Sequence, residues 1–252
     1  MGRASTALAA AGMLPMGTSL AAETAERTRP NILLIITDQQ HAGMLSCAGN
    51  RWLKTPNMDA LAARGVSMMR QGGHERDTVV VLVSDHGDMD GAHRLEHKSM
   101  LYEEATRVPL IVSLPGVTRQ GLVDREHLVS TGLDLIPTLC DFARIAIPTE
   151  LRGRSVRRLA EGDRPADWRE TLVVENEGSR LVRWGDTKYM VYAQGRRREQ
   201  LVDLKLDPGE MKNVAADPAR REQLMEGRRR LRQWYLDHGL TLDPKYLIDE
   251  RP

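Results

Sequence analysis

Two seven-residue segments with uninterrupted apolar interiors, Asn31–Thr37 and Thr78–Ser84, each end at an aspartate, Asp38 and Asp85. Uninterrupted Val/Ile/Leu runs of this length are expected for strands covered on both faces, as in a parallel sheet. In open α/β sheets, ligands gather at the C-terminal ends of such strands. The chain therefore puts a carboxylate, followed by Gln39 in one turn and His86 in the other, where a site is expected.

The rest of the chain supplies the cover. Thr55-Pro56 opens a helix that Gly65 can close, with Met58, Leu61 and Ala62 on its apolar side. Ser99–Ala105 is a second expected helix, Leu110–Val112 a third strand, and Asp134–Ala143 a helix with Pro137 in its first turn. Cys140 on that helix's apolar stripe is expected to be a core thiol. Residues 144–170, rich in Arg, Gly and Pro, read as surface connection.

Beyond residue 170 the pattern changes to short runs at 171–175, 180–184, 188–192 and 200–204, punctuated by Gly185-Asp186, Gly195 and Asp207-Pro208-Gly209. That predicts a small antiparallel meander. Asp217-Pro218 then caps a last helix over 218–237. The arginine triplets 196–198 and 228–230 are expected on solvated surface.

Composition removes several classes of function. Lys plus Arg is 36 against 35 Asp plus Glu, a formal net charge of +1, so nothing calls for nucleic acid or an anionic membrane as partner. Two cysteines and no CxxC spacing exclude a disulfide scaffold and a zinc finger. No run is long enough to span a bilayer. Residues 1–22, with Arg3 before an Ala/Leu/Met/Gly stretch, resemble an export signal, which predicts a periplasmic or secreted product.

On spacing alone the two acidic turns leave two readings open. Acidic residues at strand ends serve as helix caps and loop formers. Alternatively, like charges brought together by a parallel sheet call for a cation between them. Calcium accepts carboxylate and amide oxygens, and magnesium is the alternative. Lys98 and His93 lie just downstream, and Gly87 and Gly91 suit a tight loop that brings backbone near a ligand.

Several blocks together resemble the sulfatase family of the alkaline-phosphatase-like superfamily. They are Pro30 to Gln40, Cys47 to Asn50 with Lys54 to Asp59 and Leu61 to Gly65, Val83 to Asp88, His97-Lys98 with Tyr102 to Val112, and Leu204 to Pro218. The resemblance implies an α/β fold: a mixed sheet flanked by helices, with a small C-terminal antiparallel sheet and a terminal helix. It implies a calcium-type ion on Asp38, Gln39, Asp85 and His86, a sulfate-contacting Lys98, and His93 as a neighbour of the active site. The implied partner is a small-molecule sulfate or phosphate ester.

The family's nucleophile lies in a Cys-x-Pro-x-Arg or Ser-x-Pro-x-Arg segment whose first residue becomes formylglycine. No such segment occurs in the 252 residues. The stretch expected to carry it runs Met68-Met69-Arg70-Gln71-Gly72-Gly73-His74-Glu75 directly into the second apolar run. Cys47 to Arg51 has Cys and Arg at the family's separation but no Pro between them. The expectation is a truncated core over 30–165, after a leader over 1–29 and before a small-sheet subdomain over 166–252. The expected activity is weak or absent sulfuric ester hydrolysis. Phosphate or phosphonate monoester hydrolysis, or a non-catalytic anion binder, is the alternative. A shortened sheet would also leave an exposed edge through which the chain self-associates.

Overall fold

A computed structural model describes residues 29–64, 73–74 and 76–248. The leader, the close of the first helix at Gly65 and most of the stretch expected to carry the nucleophile lie outside the described residues.

Strands β1 (Asn31–Thr37), β2 (Thr78–Ser84) and β3 (Leu110–Ser113) form a three-stranded sheet in that order. β1 and β2 are parallel, with Thr37 paired to Ser84, while β3 runs antiparallel to β2. The sheet is mixed, as the sequence predicts. Every residue of β2 is buried. Val79 and Val81 pack toward Leu114 and Phe142, and Val80 and Leu82 toward Leu61. Helix α1 (Pro56–Arg64) supplies Leu61, and α3 (Thr131–Phe142) supplies Phe142. Each such valine contributes roughly 1.5–3 kcal/mol by leaving water.

β1 does not match the expectation of two-sided cover. It is the edge strand, and Ile32, Leu33 and Ile36 are 36%, 39% and 59% exposed. Its interior is as aliphatic as that of β2, but burial depends on what packs against a strand. Among the described residues β1 pairs on one side only.

The second sheet is the expected meander: β4 (Leu172–Glu175), β5 (Ser179–Trp184), β6 (Thr187–Tyr192) and β7 (Glu199–Asp203), all antiparallel. Side chains alternate across it with period two. Val182, Tyr189, Val191 and Leu201 face α5 (Arg221–Asp237) and meet Leu224, Leu231 and Tyr235. Gly227 allows that close approach, since a Cβ there would lie 2.7 Å from the Tyr189 side chain. Leu181, Met190 and Val202 face the other way and are covered by Leu101 and Tyr102.

Four further expectations are corrected. The helix expected at Ser99–Ala105 is one turn only, α2 (Glu103–Thr106): residues 99–102 bend instead, and Leu101 and Tyr102 pack on the second sheet. Pro137 sits in the interior of α3 rather than its first turn, since the helix begins at Thr131. The connection over 144–170 holds a short helix, α4 (Arg157–Glu161), anchored by buried Val156 and Leu159. The second arginine triplet is not simply solvated: Arg228 pairs with Glu199 at 2.6 Å, and Arg230 lies over the Trp184 ring. No helix among the described residues is long and apolar enough to cross a membrane.

Candidate metal and anion site

The parallel register decides the site. Because Thr37 and Ser84 are paired neighbours, the next residues, Asp38 and Asp85, leave the sheet side by side. Ser84, the hydroxyl residue that follows five aliphatic ones in β2, is fully buried and clips the two turns together. Its Oγ lies 3.0 Å from the Thr37 carbonyl and 2.8 Å from the His86 carbonyl, and it accepts the Gln40 N–H at 3.0 Å.

Asp38, Asp85 and His86 each direct one ligand atom into a space where all three lie within 4.8 Å of one another. His86 Nε2 is 3.1 Å from Asp85 Oδ2 and 3.9 Å from Asp38 Oδ1. The second imidazole nitrogen fixes the ring. Nδ1 is 2.7 Å from the Gly87 carbonyl oxygen. A carbonyl only accepts, so Nδ1 carries the proton and a neutral His86 presents its Nε2 lone pair to the carboxylates. The Lys98 ammonium lies against that lone pair.

Burial pushes the Asp85 carboxyl up, but the backbone N–H groups of His86 and Gln39, with the nearby Lys98 charge, outweigh it and hold the group below its ordinary value. It is therefore ionised at neutral pH. Two carboxylates and a neutral imidazole nitrogen at one rim make a donor set that fits a divalent cation. Gln39 joins the rim through its backbone: it sits at φ 60° and donates its N–H to Asp85 Oδ1 at 3.2 Å, while its side chain is exposed.

The loop after His86 is gripped from outside. Gly87 donates its N–H to the Ala105 carbonyl at 2.9 Å. A Cβ on Gly87 would lie 1.8 Å from the Glu104 carbonyl oxygen, so only glycine fits. Beside the rim runs an open cleft of ≈460 Å³, lined by Thr37, Asp38, Gln39, Gln40, Met58 and Asp88 among others.

His93 is not drawn into the trio by any contact. Its ring stacks on Tyr102 with centroids 3.9 Å apart, and its Nε2 is 4.0 Å from Glu104 Oε2. Cys47 is exposed, and its backbone N–H donates to Asp59 Oδ1 at 2.9 Å. Partial burial and the Asp59 carboxylate push its thiol up, the wrong direction for a nucleophile. Sequence reasoning passed over Ser84. Its one signal is a hydroxyl residue ending an apolar strand just before the acidic turn.

A family model described as N-sulphoglucosamine sulphohydrolase, C-terminal, matches residues 91–235. The chain is 38% identical over 162 residues to a Delta 4,5-hexuronate-2-O-sulfatase of Bacteroides thetaiotaomicron, a match covering 61% of this chain and 34% of that protein. The solved structure of a 2-O GAG sulfatase is 36% identical with a TM-score of 0.59, covering 67% of this chain and 39% of the other. A phosphonate monoester hydrolase from Silicibacter pomeroyi is 25% identical with a TM-score of 0.61, covering 71% and 38% respectively. The chain spans about a third of the length of the curated relatives it matches.

Proposed function

The chain belongs to the sulfatase family, and from that membership we propose that its rim binds a divalent cation and the tetrahedral head of a sulfate ester. Asp38, Gln39, Asp85 and His86 hold the cation, calcium in the first instance and magnesium as the alternative. Lys98 donates to a sulfate oxygen. The observation that carries this reading is the convergence of Asp38, Asp85 and His86 within 4.8 Å at the aligned ends of two parallel strands.

The bound cation supplies Lewis-acid charge to the oxygen of the ester group. The chain's own residues do the rest. The Gly87 carbonyl keeps the His86 tautomer fixed, so that Nε2 remains a donor. The Gln39 and His86 N–H groups keep Asp85 ionised and aimed. Lys98 offsets negative charge that grows on the sulfate oxygens as the ester bond breaks. The cleft beside Asp38 leaves room for the organic part of the ester. His93, turned to Tyr102 and Glu104, is assigned no step.

The sequence holds no Cys-x-Pro-x-Arg or Ser-x-Pro-x-Arg segment. The covalent route that divides one difficult step into two is then missing, and this chain alone turns over sulfate esters weakly or not at all. A second reading, phosphate or phosphonate monoester hydrolysis, is favoured by the likeness to the phosphonate monoester hydrolase. The same donor set suits any tetrahedral anion. Export of the chain and self-association through the open edge of β1 belong to the same proposal.

The test is the purified chain with excess calcium against an aryl sulfate, an aryl phosphate and an aryl phosphonate ester. The expected rates are far below the roughly 1–10³ s⁻¹ of ordinary enzymes, with the sulfate ester first. Turnover in that ordinary range would overturn the inactive reading, and a preference for the phosphonate would replace the substrate class.

A further inference from the structure

The residues that form the rim are held from the far side of the molecule. Residues 98–107 run from Lys98 to the end of α2, and the second sheet grips this segment at successive points. Asn176 Nδ2 donates to the Ser99 carbonyl at 2.8 Å, and Gln200 Nε2 donates to the Tyr102 hydroxyl at 3.0 Å. Leu101, 4% exposed, is packed on Leu181, Met190 and Val202.

Glu103 meets the strongest of these grips. Lys188 of β6, with no side-chain exposure, lies 3.2 Å from Glu103 Oε1 and 2.9 Å from Glu210 Oε1. The other Glu210 oxygen accepts the backbone N–H of Glu103 at 2.6 Å. Arg183 of β5 adds a contact to Glu103 Oε2 at 3.2 Å. Glu210 itself sits at φ 52° in the turn after β7, only 2% exposed. A charged group of this burial persists only where partners fix it, so the cluster sets the position of Glu103 within narrow limits.

From Glu103 the connection to the rim is continuous. α2 carries Ala105, whose carbonyl accepts the Gly87 N–H at 2.9 Å, and the Gly87 carbonyl accepts the Nδ1 proton of His86 at 2.7 Å. The same segment begins at Lys98, whose ammonium reaches His86 Nε2. We propose that Glu210 and Lys188 are positioning residues of the rim, acting through Glu103 and α2 on Gly87, and so on the orientation of His86 and the placement of Lys98. This rests on the reading of the rim as a cation and sulfate site. It assigns to the C-terminal sheet a part in that site that no residue of the sheet plays by contact.

Outer partners of this kind change metal affinity by about 10- to 100-fold when removed. The test uses the full chain with two readouts: calcium affinity by titration calorimetry, and the imidazole ¹⁵N spectrum of His86 recorded without calcium. Glu210→Ala is expected to weaken calcium binding about tenfold or more and to move the His86 signals away from the pure Nδ1–H tautomer. Glu210→Gln keeps an acceptor for Glu103 but drops the ion pair. It should shift both readouts in the same direction, with affinity weakened about threefold, the scale of one modest hydrogen bond. It decides the matter should the alanine variant fail to fold. Leu231→Ala, on the opposite face of the sheet, lowers the melting point without touching the segment and should leave both readouts unchanged. A folded Glu210 variant with the parent's affinity and His86 spectrum overturns the proposal, as does Leu231→Ala reproducing the changes. A parent chain that binds no calcium would end the cation reading, while the His86 spectrum would still decide the positioning claim.

Discussion

His86 donates its Nδ1 proton to the carbonyl of Gly87 at 2.7 Å, and this one bond aims the Nε2 lone pair at Asp38 and Asp85. The rim therefore depends on where Gly87 sits as much as on its carboxylates. Gly87 in turn is fixed by its own N–H to Ala105 and by the contact of its α-carbon with the backbone of Glu104.

Gly87→Ala follows directly. The added methyl would lie 1.8 Å from the Glu104 carbonyl oxygen and 2.8 Å from the His41 Cβ. The loop and α2 must separate, at a cost of about 1–3 kcal/mol. For a chain of this size that is a fall of roughly 2–12 °C in Tm. Thermal melts check it, and the same variant should bind calcium more weakly than the parent.

Asp59 makes stability depend on acid. Hydrogen bonds from the hydroxyls of Ser46 and Thr55 and the N–H of Cys47 hold its carboxyl down to about 2 against an ordinary value of 3.8. A depressed folded-state value means the contribution is complete above the unfolded value. It is lost as pH falls through about 2. Melts between about pH 5 and pH 2 should show a steeper fall for the parent than for Asp59→Asn, which should already be less stable at neutral pH. Parallel curves would contradict this.

Lys98→Met separates anion binding from cation binding. Charge-assisted hydrogen bonds contribute about 1.5–3 kcal/mol, so sulfate affinity measured with calcium present should drop at least tenfold. Calcium affinity should hold or rise, because the ammonium that faces His86 Nε2 is gone. Equal loss of both ligands would mean that Lys98 only supports the fold.

Much of the architecture was legible in the sequence, for identifiable reasons. The four short strands of the meander were bounded by turn residues such as Gly185-Asp186, and their positions agree with β4–β7 to within about one residue. The meeting of Asp38 with Asp85 followed from two like strands in parallel, each ending in an acid. The exposure of β1 was not legible, because its own residues say nothing about the neighbour that would cover it. Nor was the Glu103–Lys188–Glu210 cluster: its members lie 85 and 107 positions apart from Glu103. Each reads singly as an ordinary surface charge. His93 was singled out by its place in the loop, yet that loop takes a left-handed backbone at His93 and stacks the ring on Tyr102.

Asp38, Asp85 and His86 are proposed to form a cation site. Titrating calcium into the purified chain by calorimetry, with Asp38→Asn and Asp85→Asn beside it, tests this most directly. One saturable site is expected in the parent. At a hundredfold excess over Kd, binding should stabilise the fold by about 2.7 kcal/mol, a stabilisation that EDTA reverses. Either substitution should abolish it. No heat of binding with calcium or magnesium, with a melting point indifferent to both and to EDTA, would rule the cation site out.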